Sequence, residues 1–167
     1  MRIEHSIDIA APVERVWELT LDVEAWPQHS STITSVERLD DGPLAVGSTA
    51  RVKQPAQPTR IWTVTALEPM RRFAWATRAM GTTMTGGHEL APTEGGMRNT
   101  LTVDIEGPLA PLVGLLIRRP IRKAISTENE GFKSAAERAP SSPPDDGNAS
   151  GVERAPEPRH YPAKSLS

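Results

Sequence analysis

From Arg2 to Ile9 the chain alternates polar and apolar positions. Ile3, His5, Ile7 and Ile9 fall on one face, and Arg2, Glu4, Ser6 and Asp8 on the other, which is the period of a half-buried β-strand. Pro12 suits the first turn of a helix, along which Val13, Val16, Trp17 and Thr20 recur at helical spacing. Asp22 is placed to cap a second short helix carrying Ala25 and Trp26, which Pro27 is expected to end. Six further strand-like segments follow, at about 32–39, 48–54, 59–68, 71–79, 82–91 and 98–106. Turn chemistry separates them: Asp40-Asp-Gly-Pro43, Gln54-Pro-Ala-Gln-Pro58, Glu68-Pro69, Gly81 and Glu94-Gly-Gly96. Connections this short predict antiparallel pairing, and with the first strand they give a meander of about seven strands.

Gly107-Pro108 closes the last strand, and a long helix is expected from about Leu109 to Arg138. Leu112, Val113, Leu116, Ile117, Ile121, Ala124, Ile125, Glu128, Phe132 and Ala135 track one stripe along it, with Arg118, Arg119, Arg122, Lys123, Lys133 and Arg138 mostly off the stripe. Pro120 is expected to kink this helix or divide it. So long an apolar stripe needs a large apolar partner, and the inner face of the sheet is the one available. Alternation assigns that face to Ala50 and Val52, to Trp62, Val64 and Leu67, to Phe73 and Trp75, to Met84, Gly86, His88 and Leu90, and to Leu101, Val103 and Ile105. Gly86-Gly87 in mid-strand points to a bend or bulge. From Ala139 the composition turns to Pro, Ser, Asp and Gly with almost no large apolar residue, too little burial to offset ordering entropy. The expected organisation is therefore one folded domain over 1–138 and a disordered Pro/Ser-rich tail over 139–167.

Composition narrows the chemistry. A net charge of −2 with interspersed signs leaves no electrostatic footprint for nucleic acid. The absence of cysteine excludes disulfides, thiolate metal sites and cysteine nucleophiles. No apolar run approaches the roughly 20 residues of a membrane span, and the N-terminus lacks a signal-peptide pattern, so a cytoplasmic location is expected. His5, His29, His88 and His160 show no ligand spacing, and no phosphate-binding, dinucleotide-binding or serine-hydrolase motif is present; neither metal nor cofactor is expected. Arg60, Arg72 and Arg78 read as solvated strand-end residues rather than as cations at a ligand's entrance.

A sheet curled around a helix is hard to fill when only 4% of the chain is aromatic, so a cavity is expected between the two. Its wall is assigned to Trp62, Val64, Phe73, Trp75, Met84, His88, Leu101 and Val103 from the sheet, with Ile117, Ile121 and Ala124 from the helix. An apolar, aromatic lining with few polar groups is the usual make-up of a small-molecule site, although residues on such a face serve the core more often than a ligand. His88 is the candidate general base, because a near-neutral imidazole can move a proton next to a carbonyl. Its own strand face carries no carboxylate to orient it.

The Ala10-Ala-Pro-x-Glu-x-Val-Trp17 turn, Trp26-Pro27, Gly47-Ser-Thr-Ala-Arg-Val52, Trp62-x-Val64-x-x-Leu67-Glu-Pro69, His88-Glu-Leu90 with Gly95-Gly96, and Gly107-Pro-Leu109 together resemble the polyketide cyclase/dehydrase branch of the START-like (SRPBCC) superfamily. The resemblance covers about residues 2–138. It implies an α+β helix-grip fold: a curved antiparallel sheet wrapped around a long C-terminal helix and closed by two small helices. It also implies binding of a small hydrophobic molecule (a lipid, sterol or polyketide-like compound) by a monomer or homodimer. The alternative it carries is a polyketide cyclase or dehydratase using the same cavity with a histidine base. The catalytic residues of cyclising members have no matching motif in this chain.

Overall fold

A computed structural model of the protein describes residues 1–79, 81–108 and 110–138. Strand β1 (Arg2–Ile9) leads into helix α1 (Val13–Leu21), a 3₁₀ turn (Val23–Ala25) and the short helix α2 (Trp26–His29). Six strands follow: β2 (Ser35–Arg38), β3 (Thr49–Lys53), β4 (Arg60–Glu68), β5 (Arg72–Ala79), β6 (Thr82–Thr93) and β7 (Gly96–Glu106). The chain then enters helix α3 (Ala110–Glu137).

The seven strands form one curved sheet in the order β1-β7-β6-β5-β4-β3-β2, antiparallel throughout. The expected meander is therefore present, with β1 returned to its open edge beside β7. The alternation-based inner face holds through the register: Ile3 lies opposite Val103 and His5 opposite Leu101, while His88 lies between Phe73 and Leu101. Helix α3 lies across β1 and β7 and meets α1 and α2 at its C-terminal end. Trp26, Phe73, Phe132, Ile9, Ile105 and Val16 are fully buried where these layers meet.

Four local expectations are corrected. Pro27 sits in the first turn of α2 rather than ending a helix, because its missing N–H falls where a helix has no internal acceptor anyway. Asp22 makes no side-chain cap; the turn is closed by the Ala25 amide donating to the Asp22 carbonyl at 3.0 Å. Pro120 does not divide α3, which runs unbroken through it for 28 residues; packing of a long apolar stripe outweighs the loss of one helical hydrogen bond. Pairing is continuous through Gly86 and Gly87, and a register shift lies instead between Val64 and Ala66.

Strands β6 and β7 also extend further than their alternation suggested, to a tight turn at Glu94-Gly95. Gly96 is required there. Its φ is +148°, and a Cβ on it would fall 2.2 Å from the Ile9 carbonyl oxygen where the chain leaves β1. The expected tail, 139–167, lies outside the described residues.

Candidate functional site

Between the inner face of the sheet and α3 lies a cavity of about 290 Å³. The sheet contributes Val52, Trp62, Trp75, Met84, Gly86, His88, Leu101 and Val103; α3 contributes Ile117, Pro120, Ile121, Ala124, Ile125 and Glu128. Trp26 and Ile33 close it from the α2 side, and Gln54 and Gln57 from the β3–β4 connection. Strand alternation and helical spacing thus bring nine of the eleven expected wall residues to one cavity: Trp62, Trp75, Met84, His88, Leu101, Val103, Ile117, Ile121 and Ala124.

Val64 and Phe73 face the same way but belong to the packed core. For Phe73 the reason is Trp26. Its indole meets Phe73 edge-on at 5.8 Å and Trp75 at 4.9 Å between ring centroids, so it fills the space above Phe73. Donation from Trp26 Nε1 to the Leu19 carbonyl, at 3.0 Å, fixes the ring. Gly86 does related work on the sheet. A Cβ there would stand 3.2 Å from Trp75 Nε1 and 3.6 Å from Trp62 Cζ3. Its absence leaves room for the two indoles, 5.2 Å apart, that make the aromatic end of the cavity.

One wall is polar. His88 Nε2, on β6, lies 3.8 Å from Glu128 Oε1 on α3. The carboxylate partner that the strand face of His88 lacks is thus supplied by the helix. Glu128 Oε2 accepts from the Thr32 hydroxyl at 3.2 Å, and that hydroxyl is 2.7 Å from Ser30 Oγ. Behind His88 runs a buried amide chain. Asn129 Nδ2 donates to the main-chain carbonyls of His5 at 3.0 Å and Asn99 at 3.2 Å, and lies 3.2 Å from His5 Nδ1. Asn129 Oδ1 accepts from Asn99 Nδ2 at 2.9 Å, and the same Nδ2 lies 3.4 Å from His88 Nδ1.

Glu128 was legible only as one member of the helical stripe, and Asn99 and Asn129 did not stand out at all. The available signal for Asn99 was a polar residue at an inward position of an otherwise apolar alternation, between Met97 and Leu101.

Burial sets the protonation of this wall. Packed against Phe132 at 4.8 Å and Trp26 at 5.3 Å, the His88 imidazole is pushed down to about 3 by desolvation. Desolvation likewise raises the Glu128 carboxyl to about 7, against the hydrogen bond from Thr32. Near neutral pH the imidazole is uncharged and the carboxyl sits at its titration point. Such a pair can accept, donate or pass a proton to a group lodged beside it.

The other titratable candidates stand apart. His5 is half-buried and tied to Asn129. His29 ends α2 with its ring 6.5 Å from Phe132, and its pKa is lowered by burial. Arg72 is exposed beside Glu68, and Arg60 and Arg78 do not line the cavity. No helix among the described residues is long and apolar enough to cross a membrane.

Residues 1–137 match the family of polyketide cyclase / dehydrase and lipid transport proteins. Uncharacterized proteins of Mycobacterium bovis and Mycobacterium tuberculosis are 26% identical over 145 residues, covering 78% of this chain and 86% of theirs. Among solved structures, a START superfamily protein from Mycobacterium smegmatis superposes with a TM-score of 0.67 at 16% identity, over 81% of this chain and 97% of that one. The di-domain ARO/CYC BexL from the BE-7585A biosynthetic pathway superposes with a TM-score of 0.62 at 19% identity, over 84% of this chain and 51% of that one. With its seven-stranded antiparallel sheet gripping a C-terminal helix, this chain belongs to the polyketide cyclase / dehydrase and lipid transport family and has the START-like helix-grip fold.

Proposed function

We propose that the protein binds a small hydrophobic molecule in the cavity between its sheet and α3. The observation that carries this reading is the cavity itself: about 290 Å³ walled by Trp62, Trp75, Met84, Val103, Ile117, Ile121 and Ala124. That volume equals roughly ten waters of bulk liquid, in a site offering few polar partners to hold them. An apolar occupant gains roughly 25 cal/mol per Å² of apolar area removed from water, less the cost of association. Aromatic walls add shape selectivity for flat or ring-bearing molecules.

The test is native mass spectrometry of freshly purified protein with organic extraction of whatever it carries, followed by titration of the emptied protein. Co-purification or saturable uptake of a hydrophobic molecule is the expected result. Failure of lipids, sterols and aromatic compounds alike to bind would overturn the reading. A folded Trp75→Glu variant that still bound would remove Trp75 from the wall.

One observation favours a second reading, a cyclase- or dehydratase-type enzyme on a polyketide-like substrate. It is the uncharged imidazole of His88 beside the partly buried carboxyl of Glu128 on the cavity wall. In that reading Glu128 is better matched than His88 to proton removal at neutral pH, because the most effective base titrates near the working pH. Turnover of a bound substrate should fall at least about a hundredfold in both His88→Ala and Glu128→Gln. Unchanged turnover in both variants would exclude the pair from chemistry.

A further inference from the structure

We propose that the polar wall is a hydroxyl-recognition subsite. The occupant of the cavity is an uncharged hydrophobic molecule carrying an alcohol, phenol or enol group, whose oxygen sits between His88 and Glu128, accepting from His88 Nε2–H and donating to Glu128 Oε1. This rests on the hydrophobic-ligand reading above and names the chemical class of that ligand.

Asn129 anchors the wall from behind His88. Its Nδ2 faces two main-chain carbonyls, those of His5 and Asn99. A carbonyl only accepts, so the amide orientation of Asn129 is fixed and its Oδ1 points to Asn99. Asn99 must answer with its own Nδ2, at 2.9 Å. The second hydrogen of that nitrogen is directed at His88 Nδ1, 3.4 Å away. His88 Nδ1 is therefore an acceptor, and the one proton of the uncharged ring lies on Nε2. Two asparagines and two peptide carbonyls thus turn His88 into an N–H donor facing α3.

Glu128 is fixed from its other side. Thr32 holds Oε2, which leaves Oε1 without a hydrogen-bond partner among the described residues. The wall therefore presents one donor and one acceptor, His88 Nε2 and Glu128 Oε1, 3.8 Å apart. That is too long for a direct hydrogen bond, yet an oxygen about 2.8 Å from each fits between them. A hydroxyl satisfies both at once.

Other groups satisfy fewer. A hydrocarbon leaves both atoms unpaired, and an ether oxygen accepts but cannot donate. A carboxylate would stand beside Glu128 with no compensating cation, since no Lys or Arg lines the cavity among the described residues. The remaining titratable groups around this wall are His5 on β1, whose Nδ1 lies 3.2 Å from Asn129 Nδ2, and His29 at the end of α2.

The test is isothermal titration of the intact protein with four probes on one ring system: naphthalene, 2-methoxynaphthalene, 2-naphthoate and 2-naphthol. The expected result is 2-naphthol binding about tenfold or more tightly than the other three, as a hydrogen bond to a charged or donor-rich site supplies. In Glu128→Leu the ratio of 2-naphthol to naphthalene affinity should fall about tenfold. Equal affinity for 2-naphthol and 2-methoxynaphthalene, or for 2-naphthol and 2-naphthoate, would overturn the proposal and leave the hydrophobic-ligand reading standing. Binding of none of the four would overturn the proposal, and the hydrophobic-ligand reading would fall with it if lipids and sterols also failed to bind. A nitrogen-15 spectrum of wild-type protein showing His88 protonated on Nδ1 would overturn the proposal independently of any variant.

Discussion

Gly131 of α3 lies directly against the His29 carbonyl: a Cβ built on it would fall 1.9 Å from that oxygen and 2.9 Å from its carbon. Both are main-chain atoms, so no side-chain rotation relieves the clash. This close approach seats the C-terminal half of α3 against α2, and with it Glu128, Asn129 and Phe132. In an exposed helix interior, Gly→Ala gains about 1 kcal/mol. At Gly131 the sign is expected to reverse, with Gly131→Ala costing about 1–3 kcal/mol. Urea denaturation measures it, and an unchanged or raised midpoint would show that α3 shifts freely over α2.

The His88–Glu128 wall predicts an unusual dependence of stability on pH. His88 drops from 6.5 to about 3 on folding, so between those values the unfolded chain binds a proton that the folded one refuses, and stability is lost as pH falls. Glu128 rises from 4.5 to about 7, so between those values the folded chain keeps a proton that the unfolded one releases, and stability is lost as pH rises. Where the windows overlap the two slopes oppose each other. Glu128→Gln removes the alkaline loss alone. Relative to wild type, the variant should gain on the order of 2–3 kcal/mol between roughly pH 4.5 and pH 8. Parallel denaturation curves across that range would show that Glu128 titrates normally.

Ala124 lines the cavity on α3 and is only partly buried, so a larger side chain there can grow into empty space. Ala124→Phe is expected to leave thermal stability unchanged or raised while reducing uptake of a hydrophobic probe such as 2-naphthol about tenfold or more. A calorimetric titration alongside a melting curve separates the two effects. Undiminished binding in the folded variant would place the occupied space elsewhere.

Phe132 is fully buried between Trp26, 5.7 Å away, and His88, 4.8 Å away. Phe132→Ala should cost about 3–5 kcal/mol, the range for emptying a large aromatic from a packed core. Because its ring also dries His88, the His88 pKa should move back toward 6.5 in any variant that stays folded. Histidine proton shifts followed against pH report that movement, and a fixed value would assign the desolvation to Trp26 and Phe73.

The fold was legible because its signals are local. Alternation in β1, β4, β5 and β7 placed Ile3, Trp62, Phe73 and Leu101 on the inner face, and turn residues separated the strands. Helical spacing placed Ile117, Ile121 and Ala124 on the stripe that faces them. What stayed illegible depends on distant pairings. His88 and Glu128 are 40 positions apart in the chain, on elements whose relative rotation no periodicity fixes. Asn99 and Asn129 explain each other only when β7 and α3 are already in contact. Phe73 differs from Trp75 as a wall residue because Trp26 reaches across from α2, a contact that strand alternation cannot encode.

The place of β1 in the sheet has a consequence in time. Strands β2 to β7 are joined by short connections and pair with their neighbours in sequence, whereas β1 pairs only with β7, setting Ile3 opposite Val103. Closing so long a stretch of chain costs entropy that those late contacts repay only once they form. The hairpins of the meander are thus the natural early structure, and β1 and α3 join last. Since α3 supplies one whole side of the cavity, that space is expected to be completed only at this last step of folding.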